Sequence, residues 1–236
     1  MSVLPAQPNQ SLLDGLEVLL ALAQHQEPVG VRALARELGM HPTRVQRFLG
    51  TLHHLGLTRQ EPNRRYGVGP GIHALSALAL SASGLTQRAL RILPSVQEPG
   101  LILALGVLWR NTVNYLYFNE PGLPAAEALG KAHGYPAADS SIGLLLLATK
   151  EDAYLTKYFP DEAVILRARL PEVRATGVAR IDRPDGEISL AVPLGHPAYA
   201  GLAFSGRFPP SEVPDRLAQL RQIAAQLEPH STSHPL

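Results

Sequence analysis

Between Val31 and Gly56 the chain carries two helical apolar stripes separated by a very short break, and no other stretch limits the fold so tightly. Val31, Leu34, Ala35 and Leu38 repeat at i, i+3, i+4 and i+7, and Gly39 stands where a helix C′ residue ends the run. Pro42 then sits at a first helical position, and Val45, Phe48, Leu49, Leu52 and Leu55 form the next stripe until Gly56. Upstream, Ser11 reads as the N-cap of a helix bearing Leu12, Leu16, Leu19, Leu20 and Ala23 and running to about His25. Three short amphipathic helices in succession must bury their stripes against one another.

The stripe leaves the other side of the third helix polar, with Thr43, Arg44, Gln46, Arg47, Gly50, Thr51 and His54. Arg44, Arg47, Thr51 and His54 fall at i, i+3, i+7 and i+10, one row of donors and long side chains. An α-helix fits the major groove of B-DNA, where arginine pairs with guanine, glutamine with adenine, and a hydroxyl with phosphate or a base edge. The row is therefore what a major-groove reader needs, although a merely solvated helix face has the same polarity. Leu57 to Gln60 and Arg65 to Val68, joined across Glu61-Pro62-Asn63-Arg64, predict a two-stranded hairpin with arginines at its tip, a wing beside that helix.

Charge supports a local nucleic-acid surface and excludes a general one. The 236 residues carry 21 basic and 20 acidic side chains, a net charge of +1, which is neither a basic coat protein nor an acidic tail. Up to Leu93, nine arginines and no lysine face five acidic residues, leaving +4, and the remainder carries −3. Arginine suits bidentate contacts to phosphate or guanine better than lysine, although a GC-rich coding bias enriches it too. With 45% hydrophobic residues the chain can bury a sizeable core, which excludes wholesale disorder. The absence of cysteine rules out disulfides, thiolate metal sites and a cysteine nucleophile. No apolar run approaches the roughly 18 residues of a membrane span, and Met1 to Gln10 lacks a signal-peptide pattern. A soluble, cytoplasmic protein with no membrane partner is expected.

From Leu12 to Gly69 the chain resembles the winged helix-turn-helix of IclR-type bacterial transcriptional regulators. The resemblance rests on Val31-Arg-Ala-Leu-Ala-Arg-Glu-Leu-Gly39, Thr43-x-Val45-x-Arg47-Phe-Leu49, Leu52-x-x-Leu55-Gly56-Leu57 and Arg65-Tyr66-x-Val68-Gly69. It implies a homodimer or tetramer that binds a pseudo-palindromic operator in double-stranded DNA and answers to a small-molecule effector. Thr43 matches the hydroxyl residue near the start of the family's recognition helix and Arg47 its usual arginine, while His41-Pro42 departs from the commoner proline-lysine pair. Arg32, Thr43, Arg44, Gln46, Arg47, Thr51, Arg64 and Arg65 are the expected DNA-contact set.

Ile72, Leu75, Leu78, Ala79 and Ala82 line one side of a following helix that is apolar nearly all round until Ser83-Gly84. Such a helix must be buried. Another copy of itself and the first helix are both available partners, and the resemblance favours dimerisation. A further helix is expected from Thr86 to Gln97, shortened or kinked by Pro94. Beyond Leu101 the texture becomes strand-like: Leu101 to Trp109 and Thr112 to Asn119 flank a two-residue turn at Arg110-Asn111, and Ala125 to Leu129 reads as a third strand. Helices are expected over Ile142 to Ala148 and Leu170 to Thr176, strands over Val178 to Asp182, Ser189 to Pro193 and Gly201 to Ser205, and a last helix from a Ser211 cap to about Leu227. The whole is α+β: a winged helix-turn-helix over residues 1–70, a linker helix over 71–84, a GAF-like antiparallel-sheet domain over 85–229, as the resemblance implies, and a tail over 230–236.

Catalytic motifs are sparse. Gly130-Lys131 lacks the rest of a phosphate loop, and there is neither a zinc-binding His-Glu-x-x-His nor a Gly-x-Ser-x-Gly elbow. No catalytic residue, metal site or cofactor is assigned, and the chain reads as a non-enzyme. Ser140-Ser141 stands at a helix start, where it serves as an N-cap or as part of a carboxylate site. The resemblance implies the second, since Ser140-Ser141-Ile142-Gly143-x-Leu145-Leu146-x-Ala148 matches the family's effector-pocket helix. It adds Asp182, after Arg174-Ala-Thr-Gly177, and Ser189, in Gly186-x-x-Ser189-x-Ala191-x-Pro193, where cysteine is frequent. Ser205 comes from Leu202-Ala203-Phe204-Ser205-Gly206, in which Ala203 replaces a second pocket serine. Asp182 between Arg180 and Arg183 also suits a solvated turn. The implied effector is a small organic acid or aromatic acid, partly more apolar than the smallest keto acids. The stretches from Thr149 to Leu166 and from Pro94 to Gly100 look short for the family, with pocket-walling helices trimmed. A degenerate second domain that only oligomerises is the alternative.

Overall fold

A computed structural model describes residues 8–96, 98, 100–122 and 134–228. The chain divides into two compact units, Met1–Ser83 and Gly84–Leu236. The linker helix therefore belongs with the first unit.

The first unit runs α1 (Gln10–Gln24), α2 (Val31–Glu37), α3 (Pro42–His54), β1 (Thr58–Gln60), β2 (Tyr66–Val68) and α4 (Pro70–Ser83). Its core joins the predicted stripes of α2 and α3, through Leu34, Val45 and Leu49, to a different face of α1 from the one expected: Val18, Leu19 and Leu22 are buried, whereas Leu12, Leu16 and Ala23 are exposed, and Tyr66 of the wing closes the core. Asn9, not Ser11, caps α1. Its backbone is extended, and its Oδ1 accepts the Leu12 N–H at 3.0 Å, while Ser11 already lies inside the helix. The wing pairs Thr58 with Val68 and Gln60 with Tyr66, and Val29 bridges to Tyr66 from the turn before α2. Where the chain leaves the wing, Gly71 N–H bonds Gly56 O at 2.9 Å, and a Cβ at Gly69 or Gly71 would meet the Gly56 carbonyl. Beyond that anchor α4 is uncovered: Leu75 is 53% and Leu78 68% exposed, and Leu12 and Leu16 of α1 are exposed too. Burial of α4 against α1 within one chain is thus not what the structure contains.

The second unit places α5 (Leu85–Ile92) before a 3₁₀ turn at Leu93–Ser95, ending the helix at Pro94 and short of the expected Gln97. Then come β3 (Leu101–Trp109), β4 (Thr112–Asn119), β5 (Gly134–Pro136), α6 (Ser141–Leu147), α7 (Asp152–Tyr158), α8 (Ala163–Thr176), β6 (Ala179–Asp182), β7 (Glu187–Leu194), β8 (Ala200–Arg207) and α9 (Val213–Leu227). The strands form an antiparallel sheet ordered β5-β4-β3-β8-β7-β6. The third strand expected over 125–129 and the tail lie outside the described residues. Ser211 does not cap α9; it lies in a 3₁₀ turn, Pro210–Glu212, that leads into the helix. The stretch read as trimmed holds α7 and the first turn of α8, and α8 begins well before Leu170.

Strand alternation sorts the two faces of the sheet. Leu103, Leu105, Ile188, Leu190, Val192, Leu202 and Phe204 pack with α5 and α9. The alternate positions carry small residues, Ala104, Ala191 and Ala203, and pack with α6, α7 and α8. Large side chains on one face and small ones on the other leave room beneath α6. There a cavity opens.

Candidate functional site

The exposed side of α3 is held rigidly from behind by Val45, Leu49 and Leu52. Pro42 lies in its first turn, and His41 Nδ1 accepts the Thr43 N–H at 3.3 Å. Arg47 is exposed on this helix, and its side chain makes no hydrogen bond or ion pair among the described residues. The same holds for the side chains of Arg32 on α2 and of Arg64, which is exposed in the wing turn at a φ of 61°. Thr43 and Thr51 are exposed, and Thr51 Oγ1 donates to Arg47 O at 3.0 Å. Arg65 reaches back toward the Pro28 carbonyl at 3.5 Å.

On α3 itself, two members of the expected set are tethered to other elements. Gln46 Nε2 donates to the Tyr66 hydroxyl at 2.9 Å, tying α3 to the wing. Arg44 forms an ion pair with Asp14 of α1, and its guanidinium lies 5.8 Å from the centre of the Phe48 ring. Asp14 is only 5% exposed, and its other oxygen accepts from Gln10 Nε2 at 2.7 Å. The sequence placed Arg44 and Arg47 in one row, yet the structure makes Arg44 a clamp and leaves Arg47 open.

In the second unit a cavity of about 590 Å³ lies between α6 and the small-residue face of the sheet. Ser140, Ser141, Ser189 and Ser205 all line it, brought together by register: Ser189 faces Ser205 across β7 and β8, and Ile102 faces Ser205 across β3 and β8. The hydroxyls form a chain, Ser141 Oγ to Ser189 Oγ at 2.7 Å and Ser189 Oγ to Ser205 Oγ at 2.6 Å. Ser141 and Ser189 are buried and Ser205 is the more open end. Ser140 keeps its cap role, accepting the Gly143 N–H at 3.2 Å. Ala203 lines the cavity, as its place in the motif implied.

Asp182 is not among the lining residues. It is exposed on the edge strand β6, and its carboxylate is engaged by Arg180 at 2.7 Å, the solvated arrangement that its neighbours already suggested. The neighbouring arginine is the functional surprise. Arg183 lines the cavity, its Nη2 donating to the Tyr135 hydroxyl at 3.1 Å and the Asp139 carbonyl at 3.2 Å, with its Nε 3.6 Å from Glu187 Oε1. The bond to Tyr135 and the carboxylates of Glu187 and Asp139 push its pKa up. Tyr115 also lines the cavity, in contact with Phe118 at 4.8 Å between ring centres. Burial raises the Tyr115 pKa, against the pull of the Ser140 hydroxyl bonded to it. Tyr115 was not legible as a cavity residue: period two puts it on the same face of β4 as the core residue Tyr117, and only a bulge opposite Leu105 and Gly106, which skips Leu116, turns it to the α6 side. Tyr135 and Arg183 carry no sequence signal either. Among the described residues no three metal-ligating side chains converge, and no helix is long and apolar enough to cross a membrane.

Residues 11–62 match the IclR helix-turn-helix domain family. No curated protein matches the chain by sequence. Solved structures share its fold along nearly its whole length. A Silicibacter sp. TM1040 protein described as an IclR transcriptional regulator aligns at TM-score 0.75 with 21% identity, covering 92% of this chain and 94% of its own. The IclR family transcriptional regulator of Brucella abortus gives 0.71 and 21%, covering 96% and 95%. An IclR homologue from Microbacterium hydrocarbonoxydans, solved in complex with 4-hydroxybenzoate, gives 0.63 and 19%, covering 92% and 97%.

Proposed function

From a chain that carries the IclR helix-turn-helix domain and shares the fold of IclR regulators, we propose a transcription factor that binds a pseudo-palindromic operator as a dimer or tetramer and is modulated by a small effector. In this reading α3 enters the major groove, Arg47 and Thr43 read or position, Arg32 and the wing arginine Arg64 touch phosphates, and α4 joins two copies. The observation that carries it is Arg47: an exposed, unpaired arginine in the middle of a helix whose opposite stripe is locked into a core. A gel-shift titration of the full chain against DNA upstream of its own gene tests it. Affinity should fall steeply with salt, with a log-log slope of about −0.9 per phosphate contact, and one fragment should be preferred. Salt-independent binding without preference would remove the reading.

The cavity favours an effector-binding second unit over one that only oligomerises. Its volume lies in the range of small-molecule sites, and its lining mixes aromatic rings with converging hydroxyls. The 4-hydroxybenzoate held by the Microbacterium relative supports a ring of that size. A thermal-shift screen of aromatic and organic acids and their neutral analogues separates the alternatives. A ligand at 100 times its dissociation constant should stabilise by about 2.7 kcal/mol, and no shift from any compound would leave the oligomerisation module.

A further inference from the structure

We propose that the cavity of the second unit selects an uncharged hydroxylated aromatic ring, a phenol or aryl alcohol, over the corresponding carboxylate. The inference rests on the effector reading above and narrows its ligand class.

Charge is the first argument. Among the described lining residues Arg183 is the only cation, and the protein already compensates it. Its Nη2 is shared between the Tyr135 hydroxyl and the Asp139 carbonyl, and the carboxylates of Glu187 and Asp139 act on the same guanidinium. A ligand carboxylate would compete with Glu187 for Arg183 and add a further negative charge beside it, and like charges this close in a part-buried site repel. At α6, the Gly143 N–H is taken by Ser140 Oγ and so is not offered to an anion.

The serine chain is the second. In this line of three hydroxyls either partner can donate at each contact, so the open end at Ser205 offers a proton when Ser189 donates to it and a lone pair when it donates to Ser189, without moving a heavy atom. A ligand hydroxyl, itself donor and acceptor, matches both orientations. A carboxylate accepts only, and uses one. With Ala203 in place of a second serine, the wall beside this end is apolar, and Ile102, Ala104 and Phe118 complete a surface suited to a ring.

Calorimetry on the full chain with 4-hydroxybenzyl alcohol and 4-hydroxybenzoate, which share ring and phenol, tests the preference. The alcohol should bind about tenfold or more tightly. Glu187→Gln should narrow the gap by strengthening the benzoate, because it leaves Arg183 less compensated. Ser205→Ala should weaken the alcohol by about tenfold. Tighter binding of the benzoate by the unmodified protein, or an unchanged gap in Glu187→Gln, would overturn the inference and leave the effector reading standing. No heat from either probe, with cooperative thermal unfolding intact, would overturn both.

Discussion

Arg44 and Arg47 lie three residues apart on α3 and have opposite fates, which only the chain around them explains. Helical period puts both on the polar side, and that much was legible. The partner of Arg44 was not, because Asp14 comes from a helix separated from α3 by the whole of α2, and a carboxylate buried within an apolar stripe reads as an exception until its cation is seen. Arg47→Ala should cost about 1–3 kcal/mol of DNA binding and relax sequence preference, as read by competition gel shifts. Arg44→Ala should instead lower folding stability by about 1–2 kcal/mol, a figure discounted because the arginine is half exposed, and urea unfolding measures it. Equal effects of the two changes on specificity would refute the division of labour. In the second unit, a Cβ at Gly143 would collide with the Ala137 carbonyl oxygen. Gly143→Ala should therefore shift the start of α6, costing about 1–3 kcal/mol of stability and weakening any cavity ligand in calorimetry.

At the scale of elements, periodicity succeeded where it was unbroken. The bounds of the three helices of the first unit and of the β3 and β4 pair came out within a residue or two at most ends, because apolar runs and turn signals agree there, although the cap and the buried face of α1 differ from those expected. It failed at α8, where Pro171 interrupts the pattern. Proline removes one hydrogen bond, to the Arg167 carbonyl, but Leu166, Leu170 and Val173 bury enough apolar surface in the core shared with α6 and α7 to hold the helix through it. The serine constellation was legible only through family motifs, since its members lie on three elements and meet by strand register. The apolar run of α4 was read as needing burial, and a single chain leaves Leu75 and Leu78 exposed. Leu75→Glu with Leu78→Glu should leave each unit folded and shift sedimentation toward the monomer. An unchanged sedimentation coefficient would show that copies join elsewhere.

For the molecule as a whole, the near-zero net charge conceals a modest division between the two units. The unit up to Ser83 carries seven arginines against five acidic residues, +2, and the unit from Gly84 carries 14 basic against 15 acidic residues, −1. That division makes one central claim: α3 offers Arg47 to duplex DNA, and everything said of operator and effector depends on it. The most direct measurement is fluorescence anisotropy of the full chain on labelled DNA from upstream of its own gene, across a salt series, for the unmodified protein and Arg47→Ala. The account predicts steep salt dependence in both proteins and a loss of about five- to hundredfold in preference for the specific fragment in the variant. Identical preference in the two proteins would contradict it.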